Sequence, residues 1–144
     1  MPELATGARP GTKCTDCVVL TCFTLEFEFM AAILRQTGVR LHQAGGLDEA
    51  DFLLTATDAT VLLSDTVFPD GCWNDCLRML SHVHPSVPLV IVSEVQDRLF
   101  VAPAMARGAA GILWKPVRIS ELQLLIDRSH ALAMSRATER QIRS

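Results

Sequence analysis

The chain has 144 residues, 49% of them hydrophobic and 20% charged, which predicts one domain with a proper core and excludes wholesale disorder. Its formal net charge of −3 excludes the strongly basic surface that collects nucleic acid. No apolar run approaches the roughly 18 residues that a membrane-spanning helix needs, and residues 1–13 lack the apolar stretch of a signal peptide. We therefore expect a cytoplasmic protein without membrane or nucleic-acid partners, its five cysteines being reduced thiols.

After a predicted N-terminal tail, residues 1–16, short apolar runs alternate with helical patterns. The predicted strands are 18–20, 39–43, 61–63, 89–92 and 112–114. Helical patterns are expected from Thr24 until Gly38, over 47–55, from Trp73, and from Ile119 to about Glu139, with a fourth helix expected around Pro103. This alternation predicts a parallel sheet with helices on both faces.

The apolar pattern also indicates the order of the strands. The runs at 18–20, 61–63 and 89–92 are apolar on both faces, as expected of central strands, whereas the alternating run at 39–43 is typical of an edge. The folded domain is expected to span 17–134. Residues 135–144 are polar and are expected to form the end of the last helix or a linker.

Ligands of an open parallel sheet bind at the carboxyl ends of its strands. The side chains predicted there include Asp65 after the third strand, Ser93 after the fourth and Lys115 after the fifth. A carboxylate, a hydroxyl and an ammonium in one crevice suit a phosphoryl group bonded to the carboxylate, with the other two groups receiving its oxygens.

Three segments resemble the receiver domains of two-component response regulators: VLLSDTVFPDG (61–71), VIVS (90–93) and GAAGILWKP (108–116). The resemblance covers about residues 17–130. It implies a flavodoxin-like (βα)5 three-layer sandwich whose five-stranded parallel sheet has the order 2-1-3-4-5. It also implies a signalling domain of a phosphorelay rather than an enzyme, with a sensor histidine kinase or another signalling protein as partner. A homodimer through the fourth and fifth helix region is a further expectation.

The same resemblance assigns roles to individual residues. Asp65 takes the phosphoacceptor position, Ser93 that of the switch hydroxyl, and Lys115 that of the counter-ion, before a cis bond to Pro116. We further expect Lys115 to form a resting ion pair with Asp65.

The acidic pair with which receivers hold Mg²⁺ is replaced by Thr21 and Cys22. A site left with Asp65, the backbone carbonyl of Val67 and water would bind this hard cation weakly. Glu26 and Glu28 follow, but they are predicted to lie in the first helix, not in the loop that faces Asp65, and are not counted as replacements.

Three further departures concern the read-out side of the domain. Glu94 stands where a small residue usually leaves a path for the phosphoryl donor, and Ile112 takes the place of the switch aromatic. Pro103 falls within the predicted fourth helix, which should therefore be short, kinked or late in starting.

Histidines and cysteines suggest other chemistry. His82 and His84 are expected in a solvated loop after the third helix, and His42 is expected to face water. Cys14 and Cys17 have CxxC spacing, and Cys72 and Cys76 form a second pair, but the fold separates the two pairs, so zinc binding is not expected.

The hypothesis that follows is a degenerate receiver with weak Mg²⁺ binding, which signals through protein contacts. One alternative is a fully functional single-domain receiver phosphorylated on Asp65. Another is a redox sensor in which Cys22 and Cys72 approach one another at the active face. An enzyme that binds a flavin or nucleotide is disfavoured because TCFTLE, after the first strand, contains no glycine-rich phosphate loop.

Overall fold

The computed structural model describes residues 15–94 and 98–143. The predicted tail up to residue 14, including Cys14, lies outside the described residues. No helix in these two ranges is both long enough and apolar enough to cross a bilayer.

Five parallel strands form the sheet, in the order β2-β1-β3-β6-β7. These strands are β1 (Thr15–Leu20), β2 (Val39–Ala44), β3 (Val61–Asp65), β6 (Leu89–Glu94) and β7 (Gly111–Lys115). Taken by themselves they have the predicted order 2-1-3-4-5. The three runs that are apolar on both faces occupy the centre, and the alternating run is at an edge, as expected.

Five helices cover the two faces of the sheet: α1 (Thr24–Arg35), α2 (Leu47–Thr57), α3 (Trp73–Val83), α4 (Val101–Ala106) and α5 (Ile119–Arg143). The last helix continues beyond the predicted Glu139. Alternate residues of the strands point to opposite faces of the sheet, and each face forms its own hydrophobic core with the helices that cover it. One core contacts α1 and α5, and the other contacts α2, α3 and α4.

Pro103 explains why α4 has only six residues. The helix begins at Val101, so Pro103 lies in its first turn, where a backbone N–H would have no partner within the helix. The expected short, late-starting helix is confirmed.

A two-stranded antiparallel hairpin follows β3, where the sequence predicted only a loop. Its strands are β4 (Val67–Phe68) and β5 (Gly71–Cys72). The turn between them carries Asp70, both carboxylate oxygens of which lie 3.0 Å from the backbone N of Leu47 and accept its hydrogen bond. The hairpin therefore caps the N-terminus of α2, which begins after Gly46 and has no capping side chain of its own.

Two histidine predictions are wrong. His84 is the C-cap of α3, and its Nε2 lies 2.6 Å from Oδ1 of Asp51, with only 12% of the side chain exposed. His42 is half-buried, and its Nε2 lies 2.9 Å from Oδ1 of Asp16 on the adjacent strand. His82 is exposed, as expected, although it belongs to the last turn of α3.

The bond between Asp70 and α2 gives a stability test. We expect Asp70→Ala to lower the free energy of unfolding by about 1 kcal/mol, because the Leu47 N–H loses its acceptor. Asp70→Asn, which keeps an acceptor oxygen, should lose less. Urea denaturation of both variants checks this, and equal losses in the two would contradict the capping role.

Candidate functional site

The residues singled out from the sequence meet at the carboxyl edge of the sheet. Asp65 is the last residue of β3, Ser93 lies in β6 and Lys115 ends β7. All three line one polar hollow, which is also lined by Phe23, Thr66, Val67, Val92 and Glu94. Parallel strands bring their carboxyl ends to the same edge, so this convergence follows from the sheet order.

Asp65 is buried, with 9% of its surface exposed, and its carboxylate is held by Thr21. The Thr21 hydroxyl donates a hydrogen bond to Oδ2 of Asp65 at 2.8 Å and accepts one from the backbone N of Phe23 at 3.1 Å. The Gln43 side-chain amide donates to the Thr21 carbonyl at 3.1 Å. Thr21, which the resemblance aligned with a receiver acid, is therefore a hydrogen-bond donor to Asp65.

The pKa of the Asp65 carboxyl is raised, chiefly because burial disfavours the charged form. The hydrogen bond from Thr21 and the charge of Lys115 act in the opposite direction, and the carboxylate of Glu26 raises the pKa further. The site thus holds a carboxylate that is poorly solvated and only partly compensated.

Lys115 does not form the expected ion pair with Asp65. Its Nζ lies 3.7 Å from Oε1 of Glu26 and 4.2 Å from the centre of the Phe23 ring. Among the described residues, Glu26 is the only acid within ion-pair distance of this ammonium. The first turn of α1 therefore holds the lysine through a carboxylate and an aromatic face.

Glu26 lies in the first helix, as predicted, but its side chain also reaches the site. The side chain lines a cavity together with Asp65 and Lys115, and its charge acts on Asp65. A signal was present in the sequence: Glu26 precedes Phe27 and stands four residues before Met30, on the edge of the apolar stripe that faces the sheet. A residue beside this apolar stripe in the first turn of α1 lies close to the carboxyl ends of the strands.

The residues present do not fit Mg²⁺. Octahedral coordination by oxygen needs anionic ligands, and receivers have two acids in addition to the phosphoacceptor. Here the Thr21 hydroxyl already donates to Asp65, and Cys22 is an exposed thiol, a soft ligand. No group of three or more His, Cys, Asp or Glu that could hold a metal occurs within residues 15–94 and 98–143.

Glu94 lines the polar hollow, whereas the aromatic residues Phe100 and Trp114 pack against each other. Glu94 is exposed and lines the polar hollow, next to buried Ser93. On the same sheet face as Ile112, Trp114 packs against Phe100, with 6.3 Å between ring centres, while the Arg98 guanidinium lies 4.4 Å from the Trp114 ring centre. The sequence did not single out Trp114, although its position beside Ser93 in the β6–β7 pairing follows from the register.

The four described cysteines are all free thiols. Cys17 and Cys76 belong to the two cores, and burial raises the pKa of the Cys17 thiol to about 12 and that of the Cys76 thiol to about 11. Cys22 is exposed and Cys72 half-buried, without a disulfide between them. Burial therefore argues against a redox role for Cys17 and Cys76.

We expect Cys22 to react rapidly with a thiol reagent at pH 8 and Cys17 to resist it. With a pKa of about 12, about one Cys17 thiol in ten thousand is ionised at this pH, and the buried sulfur is also inaccessible. Peptide mapping after timed alkylation measures the difference, with urea-unfolded protein as the control. Comparable rates for both residues in the folded protein would contradict the burial argument.

The raised pKa of Asp65 predicts a stabilising substitution. The Asp65 carboxyl group contributes most to the free energy of unfolding at pH values below its pKa in the unfolded chain. This contribution is lost as the pH rises through its higher pKa in the folded protein, so the ionised carboxylate lowers the stability at pH 7. We expect Asp65→Asn to raise the free energy of unfolding at pH 7, and the gain to shrink as pH falls towards 4. Urea denaturation measures this, with Asp48→Asn at an exposed site as control; a loss of stability at pH 7 would contradict the sign.

No protein-family model matches the chain. Among curated proteins it is similar to one from Sinorhizobium fredii named "Probable transcriptional regulatory protein y4xI", with 34% identity over 102 residues. The match covers 71% of this chain and 43% of that protein, so the chain spans less than half the length of this relative.

Solved structures give a consistent result. The signal receiver domain of an HD domain-containing protein from Pseudomonas fluorescens has a TM-score of 0.78 and 18% identity, covering 92% of this chain and 98% of that one. A response regulator receiver domain from Clostridium thermocellum has a TM-score of 0.73 and 21% identity, covering 81% and 94%. NtrX from Brucella abortus has a TM-score of 0.76 and 20% identity, covering 90% of this chain and 29% of NtrX. The chain therefore has the flavodoxin-like α/β fold of response regulator receiver domains.

Proposed function

We propose that this chain is a receiver domain of a two-component phosphorelay, in a degenerate form that signals through protein–protein contacts. In this role it acts by binding a partner, not as an enzyme. Asp65 occupies the phosphoacceptor position, Lys115 that of the counter-ion and Ser93 that of the switch hydroxyl.

One observation carries the receiver assignment: these three side chains line a single polar hollow at the carboxyl edge of a 2-1-3-4-5 sheet. The peptide bond after Lys115 is cis, as the resemblance implies. In a working receiver the Asp65 carboxylate would attack phosphorus as the nucleophile, and the bond from phosphorus to the donor would break, releasing the imidazole of a phosphohistidine or the acetate of acetyl phosphate. Lys115 and Ser93 would receive the phosphoryl oxygens.

The degenerate character is supported by the charges around Asp65. The Mg²⁺ that would neutralise an incoming phosphate lacks its acidic ligands, because Thr21 and Cys22 stand in their places. Glu26 adds a second carboxylate and holds the Lys115 ammonium at 3.7 Å. A dianionic phosphate approaching this site would meet the carboxylates of Asp65 and Glu26, while the Lys115 ammonium is already engaged by Glu26.

Protein partners are favoured over nucleic acid. The formal net charge is −3, and large apolar side chains are exposed near α4 and α5, where Leu99 is 94% and Leu124 50% exposed. We propose a sensor histidine kinase or another signalling protein as the partner, and a homodimer through the α4 and α5 region.

The phosphorylation test uses acetyl phosphate with Mg²⁺ and intact mass. We expect no phosphoryl increment on the wild-type chain, because the cation that should bridge Asp65 and phosphate is held weakly. The double variant Thr21→Asp, Cys22→Asp, which supplies the acidic pair, should acquire the increment. Adding Asp65→Asn to that double variant should abolish it.

The outcomes separate the alternatives. A wild-type increment that is lost in Asp65→Asn would establish the fully functional receiver and overturn the degenerate form. Failure of the folded double variant to be phosphorylated would count against the receiver assignment of Asp65. A change in the reactivity of Cys22 and Cys72 under oxidant, with no phosphorylation in any variant, would favour the redox sensor.

A further inference from the structure

A second, mostly apolar cavity adjoins the polar hollow on the α1 side of Asp65. It has a volume of about 190 Å³ and lies between α1 and the α1/α5 face of the sheet. Strand residues, including Leu63 and Leu113, and Met30 of α1 supply apolar lining, and Asp65, Glu26 and Lys115 are its charged groups. For comparison, a dry apolar cavity of about 150 Å³ in another protein is large enough to bind benzene.

Asp65 has an unused hydrogen-bond acceptor at this cavity. Its Oδ2 accepts from Thr21, but within residues 15–94 and 98–143 no group donates to Oδ1. The residue as a whole is 9% exposed, and its carboxylate is reached through the cavity and the polar hollow. A buried carboxylate oxygen without a donor is costly, and a ligand that supplied one would relieve that cost.

The charged side chains that line the cavity indicate which kind of hydrogen-bond donor a ligand would carry. Asp65 and Glu26 are acidic and Lys115 is basic, which gives a formal charge of −1 when all three are ionised. The Phe23 ring already has the Lys115 ammonium 4.2 Å from its centre, so the two carboxylates, rather than this ring, are what attract a cationic ligand here. An anionic ligand would be repelled by Asp65, whereas a cationic donor would neutralise it.

We propose that this cavity binds a small amphiphilic amine, a compact apolar group that carries one protonated amino group. The ammonium donates to Oδ1 of Asp65, and the apolar part packs against Leu63, Leu113 and Met30. The cavity volume limits the apolar part to about the size of a single aromatic ring. Because the cavity and the polar hollow share Asp65 and Lys115, an occupant would also alter the charge of the candidate phosphoacceptor site.

The proposal does not depend on phosphorylation, so its test is separate from that of the receiver function. Binding of 2-phenylethylamine to the full chain is measured by calorimetry and by heteronuclear NMR. The near-isosteric neutral 2-phenylethanol and anionic phenylacetate serve as matched probes. We expect the amine to bind at least about tenfold more tightly than either, as one charge-assisted hydrogen bond implies.

Two variants locate the site. Asp65→Asn should reduce the amine affinity about tenfold and leave that of 2-phenylethanol nearly unchanged. Val117→Phe, which fills the cavity from its lining, should weaken all three probes. Circular dichroism and the fluorescence of Trp73 and Trp114 verify that both variants are folded.

Three results would overturn the proposal. They are saturable binding of phenylacetate in preference to the amine, amine binding that is unaffected by both folded variants, and no binding of the amine at millimolar concentration. Spectral changes confined to residues that line the cavity would support it.

Discussion

The functional edge of this protein depends on one constraint: a carboxylate is buried at the end of a central strand, and a single group among the described residues donates a hydrogen bond to it. Asp65 is placed there by β3, which is covered on both faces and flanked by β1 and β6. Thr21 directly follows the neighbouring strand β1, and its hydroxyl donates to Oδ2 of Asp65 at 2.8 Å. A neutral donor orients the carboxylate but does not neutralise it, so the remaining charge must be balanced by other groups.

That balance is incomplete among the residues that the structure describes. Of these, only Lys115 brings an ammonium to the lining of the two cavities, and it lies against Glu26 and the Phe23 ring. Helix α1 therefore contributes a carboxylate and an aromatic face to the site, in addition to its packing role. In the described part of the chain no group donates to Oδ1 of Asp65, which lines a mostly apolar cavity, and both proposals made for this chain arise from that arrangement.

Much of the architecture could be predicted because it is encoded in short segments. Uninterrupted apolar runs identified the central strands, and the alternating run that became β2 identified an edge. Pro103 predicted a short α4 because the lack of a backbone N–H acts locally, whatever the helix packs against. The hairpin β4–β5 was missed because two-residue strands have no detectable period, and its capping of α2 through Asp70 joins residues 23 positions apart.

The sequence by itself determined the fold class, which strands are central and which residues end the strands at the functional edge, since each depends on local polarity and on the parallel sheet, and the resemblance to receiver domains supplied the full strand order. Only the tertiary structure decided which charges meet there. Glu26 rather than Asp65 pairs with Lys115, and His84 pairs with Asp51, because the rotation of a helix over the sheet sets where its side chains point. Periodicity predicts which stripe of a helix is buried, but the polar residues at the edge of that stripe find their partners only when the packing is complete.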